Sequence, residues 1–344
     1  MRQSFLALFT IALLVAATNA KADDGGTVVE GAVPDLLRPY VSGNRHMLGD
    51  YRWFRGKFPG ASDEQEAVTT AARNFNAECY ARHLADVRQR LLAMDVVPVE
   101  QGQYSIVYKC SAFTGISLPS GTTWAQFDEA ARLVRPLMRG LIFASEFMLA
   151  SAEDESTLAA QIRTRVLADQ LIRNALGATF RRADMFAEID ELQRRIAGDM
   201  LGLQMAKIDA ANSEYLRGLI ASVGWPESSK VGEDTTHYTW LLAQHADADP
   251  ALQLHILRQM EPMIEKGDTS ARDYAYLYDR VMLKLVGKQR YATQFECRDG
   301  KRVPQPLEAD IASADRYRTA TGMGSVAEDA KRLEQSYGPC PTSQ

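Results

Sequence analysis

His245 is the residue best placed to do chemistry. It follows Gln244 near the end of a helical stretch and precedes Asp247-Ala248-Asp249-Pro250, so an imidazole and two carboxylates share one turn. Imidazole is the side chain whose unperturbed pKa lies nearest neutrality, which suits His245 to general acid or base work. A carboxylate would have to orient it, and Asp209, Asp249 and Asp279 are the candidates. Arg280 or Arg173 can hold an anionic group, while Gln244, Gln289 and Gln294 can bind amide or carbonyl atoms. The candidate catalytic group is therefore His245, Asp279 and Arg280. The candidate binding group is Gln244, Asp249, Gln289, Gln294, Arg173 and Trp225. Each has a structural alternative: His245 as a helix cap, Asp279-Arg280 as an ion pair, and Trp225-Pro226 as the device that fixes the start of a helix. Buried polar networks also specify helix packing without catalysis.

Other chemistries find less support. His237 and His245 stand two helical turns apart, about 12 Å, too far for one metal ion. His245 with Asp247 and Asp249 gives a weaker metal set, and no metal or cofactor is expected. G-x-S-x-G and S-x-x-K patterns are absent, no cysteine sits in a papain-like context, and Gly322-Met323-Gly324 is too short for a phosphate loop.

The elements that must position these residues are helices. Apolar residues recur at three- and four-residue intervals over 63–94, 122–150, 156–176, 182–206, 212–223, 234–246, 250–266, 271–286 and 310–317. Ser62 and Asp249-Pro250 supply helix starts. Alternation over 103–113 predicts the clearest strand, and 289–294 reads as a polar loop or short extended segment. The fold class is thus mainly α, a multi-helix array with at most a small β element in the N-terminal part.

Several short pieces, taken together, resemble a known family. Gly224-Trp225-Pro226, Val231-Gly232, Gln244-His245-Ala246-Asp247, Asp249-Pro250, Tyr276-Leu277, Asp279-Arg280-Val281 and Gln289-x-Tyr291-x-Thr293-Gln294 stand in the order of an uncharacterised bacterial family, domain of unknown function 6624. Asp169-Gln170-Leu171-Ile172-Arg173 and Asp209-Ala210-Ala211-Asn212 match its two upstream helices. The family's usual glycine before T-Q is Ala292 here, and the segment before Gln289 is one residue shorter. The resemblance spans about 156–338 and implies a domain, with no reaction attached.

The chain ends bear on location. Met1-Arg2, the apolar run 5–17 and the small residues around Ala20 and Ala22 predict a cleaved secretory signal over 1–22. Region 23–155 then precedes the helical domain at 156–338, and 339–344 is a tail. All four cysteines lie beyond the signal, and nearness in sequence favours Cys79 with Cys110 and Cys297 with Cys340. With 46% hydrophobic and 24% charged residues the composition is globular, and a net charge of −5 argues against nucleic acid as a partner. The expectation is a periplasmic or secreted soluble protein with no stable membrane insertion after signal cleavage. It would be a hydrolase or transferase acting on an amide or ester, or else a non-catalytic envelope module binding a small-molecule, peptide or glycan ligand.

Overall fold

The computed structural model describes residues 26–99, 107–181 and 186–340. The expected signal lies outside them. The architecture is mainly α. Helices α1 (Asp63–Leu92), α2 (Trp124–Glu153), α3 (Leu158–Arg181) and α4 (Glu191–Val223) come first. A short α5 (Ser228–Val231), α6 (Glu233–Gln244), α7 (Pro250–Ile264), α8 (Ala271–Val286), α9 (Ile311–Ala320) and α10 (Val326–Tyr337) follow. Ser62, Thr123, Asp190 and Ser325 each close a capping box, satisfying backbone donors that would otherwise end a helix unpaired.

α3 and α4 run through two apolar cores. One core gathers Trp53, Phe54, Phe113, Phe127 and Met138 against Ile172, Ile196 and Met200. The other gathers Ile162, Val166, Leu216 and Ile220 with Leu242, Leu257, Leu277 and Val281. The turn near 154–157, where a domain boundary was expected, lies between α2 and α3, and these two helices pack on one another. α4 is one helix of 33 residues where two were expected. Asp209 and Asn212, in and beside the gap expected between those two, both have side-chain contacts with α3.

The β content also differs from expectation. Of the predicted strand 103–113, residues 103–106 lie outside the described residues, and the rest forms a 3-10 turn at Tyr108–Cys110. Tyr108 and Cys110 are both buried and Cys110 is bonded to Cys79 on α1, so the alternation reflects anchoring to a helix rather than a pleated face. A three-stranded antiparallel sheet in the N-terminal part has the order β1 (Gly26–Val28), β3 (Arg45–Met47), β2 (Val41–Ser42). A second β element, unexpected, lies in the C-terminal part: the hairpin of β4 (Phe295–Arg298) and β5 (Lys301–Pro304). Its turn, Asp299-Gly300, has φ of +51° and +72°, the left-handed pair that matches the twist of a tight hairpin. Cys297 on β4 is bonded to Cys340 beyond α10. Among the described residues no helix is long and apolar enough to cross a membrane.

Candidate functional site

One face of α3 carries Arg165, Asp169 and Arg173 at four-residue spacing, so the three stack along the helix. They meet Asn212 and Asp209 on α4. The turn after α6 brings His245 to the same place. Its Nδ1 lies 3.0 Å from Asp169 Oδ2 and 3.1 Å from Oδ1. Asp169 also accepts from Arg173 Nε at 2.8 Å and from Gln170 Nε2 at 2.7 Å. Arg173 reaches on to Asp209 through its second terminal nitrogen. The result is a chain His245–Asp169–Arg173–Asp209 across three helices. The Asp169 side chain is wholly buried, whereas those of His245 and Asp209 keep 15% and 16% of their surface exposed.

The turn that presents His245 is held from every side. Asp247 is gripped by Arg280 and Lys284 of α8, one helical turn apart. Gln253 of α7 donates to the carbonyls of Ala243 and Gln244 and accepts from Lys284 at 2.9 Å. Asp249 caps α7 through Leu252 N and takes Arg90 of α1 and Arg217 of α4, each at 2.8 Å. Asp249 is thus a junction of three helices. Gln244 is buried, with its Oε1 lacking a hydrogen-bond partner among the described residues, as does Arg280 Nε.

Burial and charge set the protonation states. Burial pushes the His245 imidazole below its ordinary value, although the bond to Asp169 opposes this, so the ring is neutral at pH 7. Burial also raises Asp169, but the His245 hydrogen bond and the Arg173 charge outweigh it and hold the carboxyl low. Asp209 goes the other way, because burial lifts it to about 7 even beside Arg173. For Asp247 the two cations outweigh burial and hold it ionised, and burial pulls Lys284 down to about 8. An ionised, buried carboxylate on Nδ1 fixes the tautomer in which Nδ1 carries the proton and Nε2 is the free base.

Asp209 and Ala246 line a cavity of about 440 Å³, together with His83, Ser213, Arg217 and Asp249. Ligand atoms of Asp169, Asp209 and His245 also lie within 4.8 Å of one another, close enough to hold a metal ion. The metal set weighed from sequence paired His245 with Asp247 and Asp249 instead, but those carboxylates are turned to α8, α1 and α4. In the cluster, Arg173 already bonds both aspartates and supplies positive charge between them.

The remaining expected residues serve a different part of the molecule. Asp279 is fully buried on α8 and accepts from the backbone N–H groups of Arg290, Tyr291 and Thr293 at 2.8–2.9 Å. Consecutive helical residues point about 100° apart, so Asp279 faces this loop while Arg280 faces Asp247. Gln289 is buried, donates to the carbonyls of Gln294 and Gln305, and accepts from Gln294 N. Gln294 Nε2 donates to Thr293 Oγ1. Trp225 packs in the second core. The structure therefore brings His245, Asp209, Arg173 and Arg280 to one region, adds Asp169 and Lys284 to it, and gathers Asp279, Gln289 and Gln294 around the loop before β4. Asp169 could have been found from sequence, since a charged residue between Ile162, Val166 and Ile172 on a buried face needs a partner.

The site is thus a polar cluster between helices of a mainly α protein, with one face on a cavity. Residues 182–340 match the model of DUF6624, a family of unknown function. No curated protein and no solved structure matches the chain. The match includes Asp209, His245, Asp247 and Arg280 and begins later than the resemblance at 156. The helix bearing Asp169 and Arg173 stands ahead of it.

Proposed function

We propose that the protein is a hydrolase or transferase of the cell envelope or the extracellular space, acting on an amide- or ester-bearing substrate. The observation that carries this reading is the His245 imidazole, 15% exposed and held by a buried, ionised Asp169 beside Asp209, the member of the group that lines the cavity. His245 Nε2 takes a proton from the attacking hydroxyl or water. Asp209, with a pKa of about 7, carries a proton part of the time near neutrality and delivers it to the leaving group. Gln244 and Arg280 stand behind this group, with Gln244 Oε1 and Arg280 Nε buried and Arg280 paired with Asp247, so they hold the turn that presents His245. Two disulfides support an oxidising compartment, in keeping with the expected signal.

The test is turnover of a panel of chromogenic esters, peptide amides and acylated glycans by the full chain. His245→Ala should keep the helical circular dichroism and lose activity by about 10²–10⁴-fold, the usual worth of a positioned base. Equal turnover in the variant overturns the assignment. Saturable binding of a panel member without turnover favours the rival reading, a ligand-binding module.

A further inference from the structure

A second polar site lies one turn along α3 from Asp169 and does not depend on the catalytic reading. Arg165 is 5% exposed, yet its guanidinium is poorly matched. Nη1 makes a long 3.4 Å contact with Asn212 Oδ1, and Nη2 stands 3.8 Å from Glu153, beyond hydrogen-bond reach. Nε has no hydrogen-bond partner among the described residues. Neighbouring Asn212 is 2% exposed, and its Nδ2 donor is likewise unmatched. The Tyr215 ring stacks 4.1 Å from the guanidinium carbon, which fixes the plane of the fork without supplying an acceptor oxygen.

An arginine cannot shed its proton to escape such a place, and a buried cation is stable only when acceptors match its donors. The residue also lines a cavity of about 710 Å³ bounded by α2, α3 and α4, with Glu153, Gln161, Glu214 and Tyr215 on its walls. The Glu153 and Glu214 side chains are 74% and 77% exposed and extend into solvent, so the cation holds the deep end. Glu153 marks the direction from which an acidic group approaches Nη2.

The geometry points to an oxyanion site in this cavity, in which Arg165 is the cation and a carboxylate or phosphate group of a small ligand is the occupant. The planar fork suits two oxygens of one such group, and the ligand displaces Glu153.

Titration of the full chain with inorganic phosphate and, separately, with acetate at fixed ionic strength tests this by calorimetry and thermal unfolding. Saturable binding of at least one anion is expected, and the stronger of the two tells phosphate from carboxylate. Arg165→Met should weaken it at least tenfold with helical content unchanged. Glu153→Gln removes the competing carboxylate and should tighten it severalfold. No saturable binding of either anion, or equal binding by folded Arg165→Met, overturns the site. Should Arg165→Met fail to fold, unchanged or weaker binding in Glu153→Gln overturns it.

Discussion

Two buried aspartates stand at the centre of this molecule, and their partners separate them. Asp279 is surrounded by backbone N–H groups and the Thr293 hydroxyl, none of which can change charge near neutral pH. Asp169 is surrounded by side chains, one of them an imidazole still touching solvent. A carboxylate that satisfies main-chain donors fixes the path of a loop. One that orients a partly exposed imidazole is built to govern a proton. Residue type and burial are the same at both positions, so the partners carry the distinction.

The comparison breaks first on stability. Asp279→Ala strips the acceptor from three backbone donors, and each buried donor left unsatisfied costs about 1–3 kcal/mol, so the summed loss is the largest expected here. Urea unfolding should show that loss while the His245 titration stays in place. A small loss of stability would mean that the loop holds its path without Asp279.

Asp169→Asn should cost less, about 1–3 kcal/mol, since Arg173 keeps Asp209 as a partner. Its signature is elsewhere: loss of the carboxylate removes what opposes burial at His245, so the imidazole pKa should fall further. If imidazole nuclear magnetic resonance shows no change, the pairing of His245 with Asp169 is wrong.

A third prediction sets His245 against His237, which also bonds an aspartate, Asp273, at 2.8 Å but is half exposed. There the hydrogen bond outweighs burial and raises the pKa, whereas burial wins at His245. His245 should titrate below 6.5 and His237 above it. The stability consequences have opposite signs. For His245 the unfolded chain binds more protons below 6.5, so stability is lost as pH falls from 6.5 through the folded pKa. For His237 stability is present below 6.5 and lost as pH rises through its folded pKa. Reversed order in the resonance titration would overturn the account.

The smallest effect concerns Ala292, whose φ of +51° lies in the region that favours glycine. Ala292→Gly relieves about 1 kcal/mol of strain, while backbone entropy and the loss of a fully buried methyl oppose it. The net change in melting should stay within about 1 kcal/mol. A larger loss would show that the methyl, packed near Ala314 and Val326, matters more than the backbone.

The helices were legible because their apolar periodicity and caps are local. Ser62 and Asp249 begin helices in the structure as their neighbours in sequence imply. The hairpin at Asp299-Gly300 carries a local signal too, the Asp-Gly pair of a two-residue turn. Tyr108 and Cys110 misled, since alternation records burial and not what does the burying. The turn 245–249 drew notice as a cluster of ionisable groups, but the carboxylate that meets His245 comes from 76 residues earlier in the chain.

By itself the sequence determined the helical class and the place of His245 at a helix end, since both depend on residues near one another along the chain, and it favoured the cysteine pairs that the structure bears out. Only the tertiary structure decided which aspartate meets which donor. Helix packing brings α3, α4 and the turn after α6 together, and a hydrogen bond between them depends on distances that no spacing in sequence encodes. Asp279, two helical turns beyond the start of α8, went to the loop, and Asp169 went to the imidazole.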